Sequence, residues 1–131
     1  MRILLDTNIL LWLISTPEKL SELVRATIRD PANDVLFSAA SIWEIAIKAS
    51  QRRGDFHARP EAVAQEARDI GFIELPVHSN VASRVADLPL LHRDPFDRLL
   101  VAQAIAEPAI LYTSDARLPA YSELVRRVDI R

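Results

Sequence analysis

Cysteine is absent from the 131 residues, which excludes disulfides, thiol catalysis and thiolate metal sites, and is compatible with a reducing cytoplasm. Glycine occurs only at Gly54 and Gly71, so no glycine-rich loop can cradle phosphates and a nucleotide-binding enzyme is disfavoured. Lysine stands only at positions 19 and 48; the other basic residues are arginines, whose planar fork suits phosphate and carboxylate better. A surplus of positive charge is also missing. Sixteen Lys plus Arg against eighteen Asp plus Glu leave a net charge of -2, so any nucleic-acid binding must come from a local patch. Finally, there is no long apolar run. ILLDTNILLWLI at 3–14 is split by Asp6, Thr7 and Asn8 into pieces too short to span a bilayer, and no small-x-small cleavage site follows Ser15-Thr16-Pro17. No membrane association is expected.

What is present is apolar content enough for one core: half the residues, in a chain the size of one domain covering 1–131. RILL, DVLFS, FIELP and ILYTS read as short strands, and RVDI as a possible last one. Between them fall helical patterns: NILLWLI; EKLSELVRATI, with Leu20, Leu23, Val24 and Thr27 at helical spacing; SAASIWEIAIKASQR; PEAVAQEARDIG, stopping at Gly71; NVASRVADL; and DPFDRLLVAQAIAE, opened by Asp94 as cap and Pro95 at the first helical position. Short strands alternating with amphipathic helices predict an α/β sandwich, a short, mostly parallel central sheet flanked by helices.

Ligand sites in such sheets lie beyond the carboxyl ends of the strands, and there the polar residues are mostly acids. Asp6 ends RILL, Asp115 follows ILYTS, Glu44 lies in the helix after DVLFS, and Asp97 sits in the first turn of the DPFDRLLVAQA helix. Each also has a purely structural reading. Asp6 can cap the helix that follows; Glu44 can pair with Lys48 at i,i+4; Asp97 can complement the helix dipole; Asp115 can be a turn residue. Ile42, Trp43, Ile45, Ala46 and Ile47 make the Glu44 helix apolar nearly all round, which weakens the surface-pair reading. Four acids converging on one sheet edge would repel one another, and a hard divalent cation removes that conflict. Mg²⁺ or Mn²⁺ prefers oxygen ligands and in acid-lined sites promotes phosphodiester hydrolysis. His57, His78 and His92 lack zinc spacing and read as surface or loop residues.

LLDTN, SAASIWEIAIK, HRDPFDRLLVAQA and YTSD, in that order over essentially the whole chain, resemble the PIN-domain ribonucleases, in particular VapC-type toxins of toxin-antitoxin pairs. The resemblance implies a PIN-like fold and a metal-dependent endoribonuclease, cytoplasmic, usually dimeric and held inactive by a cognate antitoxin. It places the acidic quartet on Asp6, Glu44, Asp97 and Asp115 as catalytic metal ligands, with Thr7, Asn8 and Thr113 in support. Lys48, Arg93, Arg98 and Arg117, with Arg52 and Arg53, lie near the expected crevice and are candidates for RNA phosphates. Trp12 and Trp43 read as core or subunit contacts before base-stacking platforms. NILLWLI, too apolar for one buried face, is a candidate dimer or antitoxin surface.

Other readings compete. A receiver domain also gathers acids and Mg²⁺ at strand ends, but uses a late strand-end lysine, and no Lys follows Lys48. A non-catalytic RNA- or protein-binding PIN scaffold has no need of all four acids. A housekeeping RNA-processing nuclease differs from a toxin in lacking an antitoxin encoded beside it.

Overall fold

Residues 1–51 and 58–130 are described by a computed structural model. Arg52 and Arg53 lie outside the described residues, as does His57. Five strands, β1 (Arg2–Leu5), β2 (Asp34–Ser38), β3 (Ile73–Leu75), β4 (Ile110–Thr113) and β5 (Val125–Arg127), form one sheet in the order β3-β2-β1-β4-β5 with every pairing parallel. Among the described residues the helices are α1 (Thr7–Ser15), α2 (Glu22–Arg29), α3 (Ala39–Ser50), α4 (Pro60–Ile70), α5 (Ser79–Arg84) and α6 (Pro95–Ala106). None is long and apolar enough to cross a membrane.

The strand period of two divides β1 between two cores, because successive side chains face opposite ways. Ile3 and Leu5 join Phe37, Tyr112 and the inner faces of α1, α2 and α4 on one side. Leu4 joins Leu36, Leu111 and α6 through Leu100, Val101 and Ala104 on the other. All three β1 residues are fully buried, so the central strand is apolar on both faces, as a covered parallel sheet requires. A buried polar pair adds a fixed point on the α6 side: Ser38 Oγ donates to Gln103 Oε1 at 2.6 Å, and Gln103 Nε2 donates to the Pro76 carbonyl at 3.3 Å. That tie orients the helix carrying Asp97 against the end of β2.

Local signals stop the elements where the sequence places them. Gly71 takes φ 108° at the end of α4, a left-handed conformation that costs glycine little. Asp94 Oδ1 accepts from the Phe96 and Asp97 amides at 2.8 and 3.1 Å, and Pro95 follows at the first helical position.

Three expectations need correction. EKLSELVRATI is not one helix: Pro17–Lys19 form a 3-10 turn, buried Leu20 bridges to Ile130, and Ser21 caps α2 by accepting from the Val24 amide at 3.2 Å. The inward face is Val24 and Ile28, leaving Leu23 77% exposed. A Ser cap after a buried residue restarts the helical phase, which periodicity over the longer stretch misses. NVASRVADL ends as a 3-10 turn over Val85–Asp87. RVDI contributes only its first residue to β5, which begins earlier at Val125; Val128 still donates its amide to the Thr113 carbonyl at 2.8 Å.

Candidate active site

The strand order reverses direction at β1, which pairs with β2 on one side and with β4 on the other. This is the switch point at which open parallel sheets leave a crevice. Leu5 pairs with Tyr112, so Asp6 and Thr113 emerge side by side, and the Asp6 amide donates to the Tyr112 carbonyl at 3.0 Å. Here a cleft of about 240 Å³ is lined by Asp6, Thr7, Asn8, Glu44, Lys48, His92, Asp94, Asp97, Asp115 and Arg117. All four expected acids line it, from four separate elements or their ends.

Asp6 forms the floor and is 5% exposed. Both readings of this residue hold together: its Oδ1 caps α1 by accepting from the Ile9 amide at 2.8 Å, and its carboxyl lines the cleft. Burial pushes its pKa up to about 6; the Thr113 hydroxyl and the Ile9 amide pull it down, while Asp97 and Glu44 raise it further. Asp97, at the start of α6, is also pushed up to about 6, chiefly by burial and then by Asp94, with His92 opposing. Among the described residues, no Lys, Arg or His forms an ion pair with Asp6.

The flanking acids do have cations. Glu44 Oε2 lies 3.2 Å from Lys48 Nζ, so the i,i+4 pair exists, but inside the cleft rather than on a solvated face. Glu44 Oε1 accepts from Thr7 Oγ1 at 2.7 Å, and Thr7 Oγ1 also lies 3.0 Å from Ser41 Oγ. Thr7 is therefore a support for Glu44 rather than for the first acid alone. Asn8 lines the cleft with no side-chain partner among the described hydrogen bonds. Asp115 Oδ1 accepts from the Arg117 amide at 2.8 Å and Nε at 3.1 Å, and its Oδ2 lies 2.9 Å from Arg117 Nη2. That guanidinium holds the Asp115 carboxyl below its ordinary value. Thr113 Oγ1 accepts from the Asp115 amide at 3.0 Å and so links the turn to the buried strand end.

His92 lies in a loop, as expected, but its side chain is not at the surface: it presents Nε2 2.9 Å from Asp97 Oδ2 and 3.6 Å from Asp115 Oδ2, with only 8% of its side chain exposed. These three residues can offer one ligand atom each to a common ion. Its position comes from the far end of the chain, where the Tyr121 hydroxyl accepts from the Leu91 and His92 amides at 3.1 and 2.9 Å. The only signal in the sequence was the adjacency of His92 to the DPFD stretch.

Arg98 also departs from expectation. It does not line the acid cleft: Nη1 donates to the Pro89 carbonyl and the Tyr121 hydroxyl at 3.0 and 3.1 Å, and Nη2 to the Val85 and Leu88 carbonyls at 3.1 and 3.3 Å. A guanidinium with its fork spent on carbonyls braces the 85–92 loop and has little left for a phosphate. Lys48 and Arg117 remain at the cleft, and exposed Arg93 borders it through a neighbouring depression shared with His92 and Arg117. Trp12 packs partly against the core with Lys19 Nζ 5.2 Å from its ring centroid. Trp43 is not core: it is 61% exposed, its ring edge-on to Phe96 at 5.1 Å. Helix α1 uses its apolar residues mostly within the chain, with Ile9 and Leu10 fully buried and Leu11 to Ile14 packed on the core.

The PIN domain family model matches residues 3–124. This chain belongs to the PIN-domain family. It is 30% identical over 125 residues to Ribonuclease VapC22 of Mycobacterium tuberculosis, a match covering 91% of each chain. The PIN fold is seen again in the crystal structure of VapBC2 from Rickettsia felis bound to a DNA fragment from their promoter. That likeness has a TM-score of 0.72 and covers 98% of this chain and 100% of the other at 19% identity, so it speaks to fold alone.

The donor set of this PIN domain fits a hard divalent cation. It consists of carboxylate oxygens with one imidazole, and the charges of Asp97 and Glu44 act on buried Asp6, a conflict that a cation relieves. Among the described residues, His92, Asp97 and Asp115 bring one ligand atom each within 4.8 Å of one another, and Asp6 and Glu44 line the same cleft; Asp115 would have to give up part of its fork with Arg117 to bind an ion fully.

Proposed function

We propose that this chain is a single-domain, metal-dependent endoribonuclease over residues 1–131 that acts as the toxin of a toxin-antitoxin pair. The observation that carries the reading is the convergence of Asp6, Glu44, Asp97 and Asp115 on one cleft at the switch point of the sheet. Its 30% identity to a protein named Ribonuclease VapC22, over nearly the whole length of both, supports RNA as substrate. The likeness in fold to a chain of a VapBC2 complex is compatible with an antitoxin partner. A homodimer and a cytoplasmic location belong to the same reading.

When bound, Mg²⁺ or Mn²⁺ supplies polarisation of a phosphoryl oxygen and a more acidic water. The protein's own work is positioning. Asp6 is fixed by its cap bond to Ile9, Glu44 by Thr7, and Asp97 by the first turn of α6, so the carboxylates are pre-aimed on rigid elements. Lys48 and Arg117 flank the acids and would neutralise phosphates of a strand laid across the cleft.

The test is cleavage of RNA by purified protein with Mg²⁺ or Mn²⁺ and its arrest by chelator, alongside growth of cells expressing the chain with and without its upstream neighbour. Cleavage that persists in chelator would remove the metal from the mechanism. Growth arrest that the neighbouring gene does not relieve would favour a housekeeping nuclease.

A further inference from the structure

Beside the acid cleft lies a second depression, lined by Leu90, Leu91, His92, Arg93 and Arg117. Two of its residues, His92 and Arg117, also line the acid cleft, so the two are continuous. Resting on the nuclease reading above, we propose that this depression is the subsite for the nucleotide next to the scissile phosphodiester, with Arg93 and Arg117 bordering its phosphate and Leu90 and Leu91 its base.

The first argument is charge. A cluster of carboxylates repels the RNA backbone on either side of the bond to be cut, so a strand can lie there only where cations border the acids. Arg93 and Arg117 supply that border on this side. The second argument is rigidity. Leu90 and Leu91 are 74% and 48% exposed, yet they do not sit on a loose loop. Arg98 holds the carbonyls of Val85, Leu88 and Pro89, and the Tyr121 hydroxyl holds the amides of Leu91 and His92. Exposed leucines on a braced loop offer an apolar floor to a base, whose faces are sequence-tolerant partners. The third argument is the reach of Arg117, whose amide, Nε and Nη2 are fixed by Asp115. Arg117 is nonetheless two-thirds exposed, with Nη1 outside the fork.

The experiment measures binding of a short fluorescent single-stranded RNA in the cleavage-dead Asp97→Asn background across a salt series. Arg93→Gln and Arg117→Gln should each weaken binding and flatten the dependence of log Kd on log salt by about 0.7, the release expected for one phosphate of a single strand. Leu90→Asn should weaken binding several-fold, leave that slope alone, and in the otherwise wild-type enzyme change which nucleotide adjoins the cut. Unchanged slopes in both arginine variants overturn the subsite. So does a Leu90→Asn protein that shifts its oligomeric state on a sizing column while binding RNA normally, since the leucines would then face another protein chain. If the wild-type protein cuts no RNA with either metal, the nuclease reading itself fails and the subsite with it; cleavage with unaffected variant slopes sinks the subsite alone.

Discussion

The floor of the cleft and its flanks hold the same kind of residue in opposite electrostatic states. On the floor, Asp6 and Asp97 are pushed up to about 6, in each case first by burial. On the flanks, Glu44 and Asp115 each face a cation of their own, Lys48 at 3.2 Å and Arg117 at 2.9 Å. Asp115, forked by arginine, is held below its ordinary value. The floor is thus the part of the site that a cation would stabilise most, and the flanks the part already neutralised from within the chain. Asp6 is the extreme case, a nearly fully buried carboxyl with no ion-pair partner among the described residues, and such a group costs the fold stability.

The largest expected effect breaks the comparison at its floor. Asp6→Asn or Asp97→Asn should abolish RNA cleavage while circular dichroism stays native, because each swap keeps volume and removes a charge the cation needs. In chelator, Asp97→Asn should melt higher than wild type, since it relieves repulsion with Asp6 and Glu44; Mn²⁺ should stabilise wild type far more than the variant. Undiminished cutting by either variant would overturn the assignment.

The flank carrying Glu44 separates ligand from ion pair. Glu44→Gln should be inactive, whereas Lys48→Gln should retain cleavage, bind RNA more weakly, and lower the salt slope by about 0.7. Equal, small stability losses with cleavage intact in both would reduce the pair to a structural contact.

A milder and reversible probe is pH. Asp6 and Asp97 bind protons more tightly in the folded chain than in the unfolded one, so their contribution to stability is full below the ordinary value of 3.8 and is lost as pH rises through about 6. Metal-free protein should therefore lose a few kcal/mol over that interval by urea denaturation, and Mn²⁺ should flatten the loss. Asp115 has the opposite sign: its contribution is present above its ordinary value and fades as pH falls through its lowered one. Metal-free stability that rises from pH 4 to pH 6 would contradict the state assigned to the floor.

The smallest effect is at the rim. Asp94 caps α6 and, as the second cause after burial, raises Asp97. Asp94→Ala should cost about 1 kcal/mol of stability and spare most cleavage in the cold. A folded Asp94→Ala protein without activity would move Asp94 into the machinery.

Much of this arrangement was legible in the residues alone, for a local reason. A strand that must end and a helix that must begin leave marks within a few positions: RILL before Asp6, DVLF before Ser38, Asp94-Pro95 at the start of α6, Gly71 after α4. Those marks place Asp6, Asp97 and Asp115 at strand ends or a helix start and Glu44 in the second turn of α3, and a parallel sheet carries all such ends to one edge. What the marks do not record is which side chains meet. That Asp6 serves as cap and cleft floor together depends on Tyr112 and Thr113, more than a hundred positions later. His92 carries no periodicity and is the loop residue it looked like, but only the Tyr121 hydroxyl on its backbone brings it to the acids; Arg98 looked like a phosphate ligand until four oxygens of the folded chain claimed its fork. Helical and strand patterns come from contacts between near neighbours and are written into the sequence by itself. The partners of a buried carboxyl, a histidine or a guanidinium are set by how distant segments pack, and only the tertiary structure decided them.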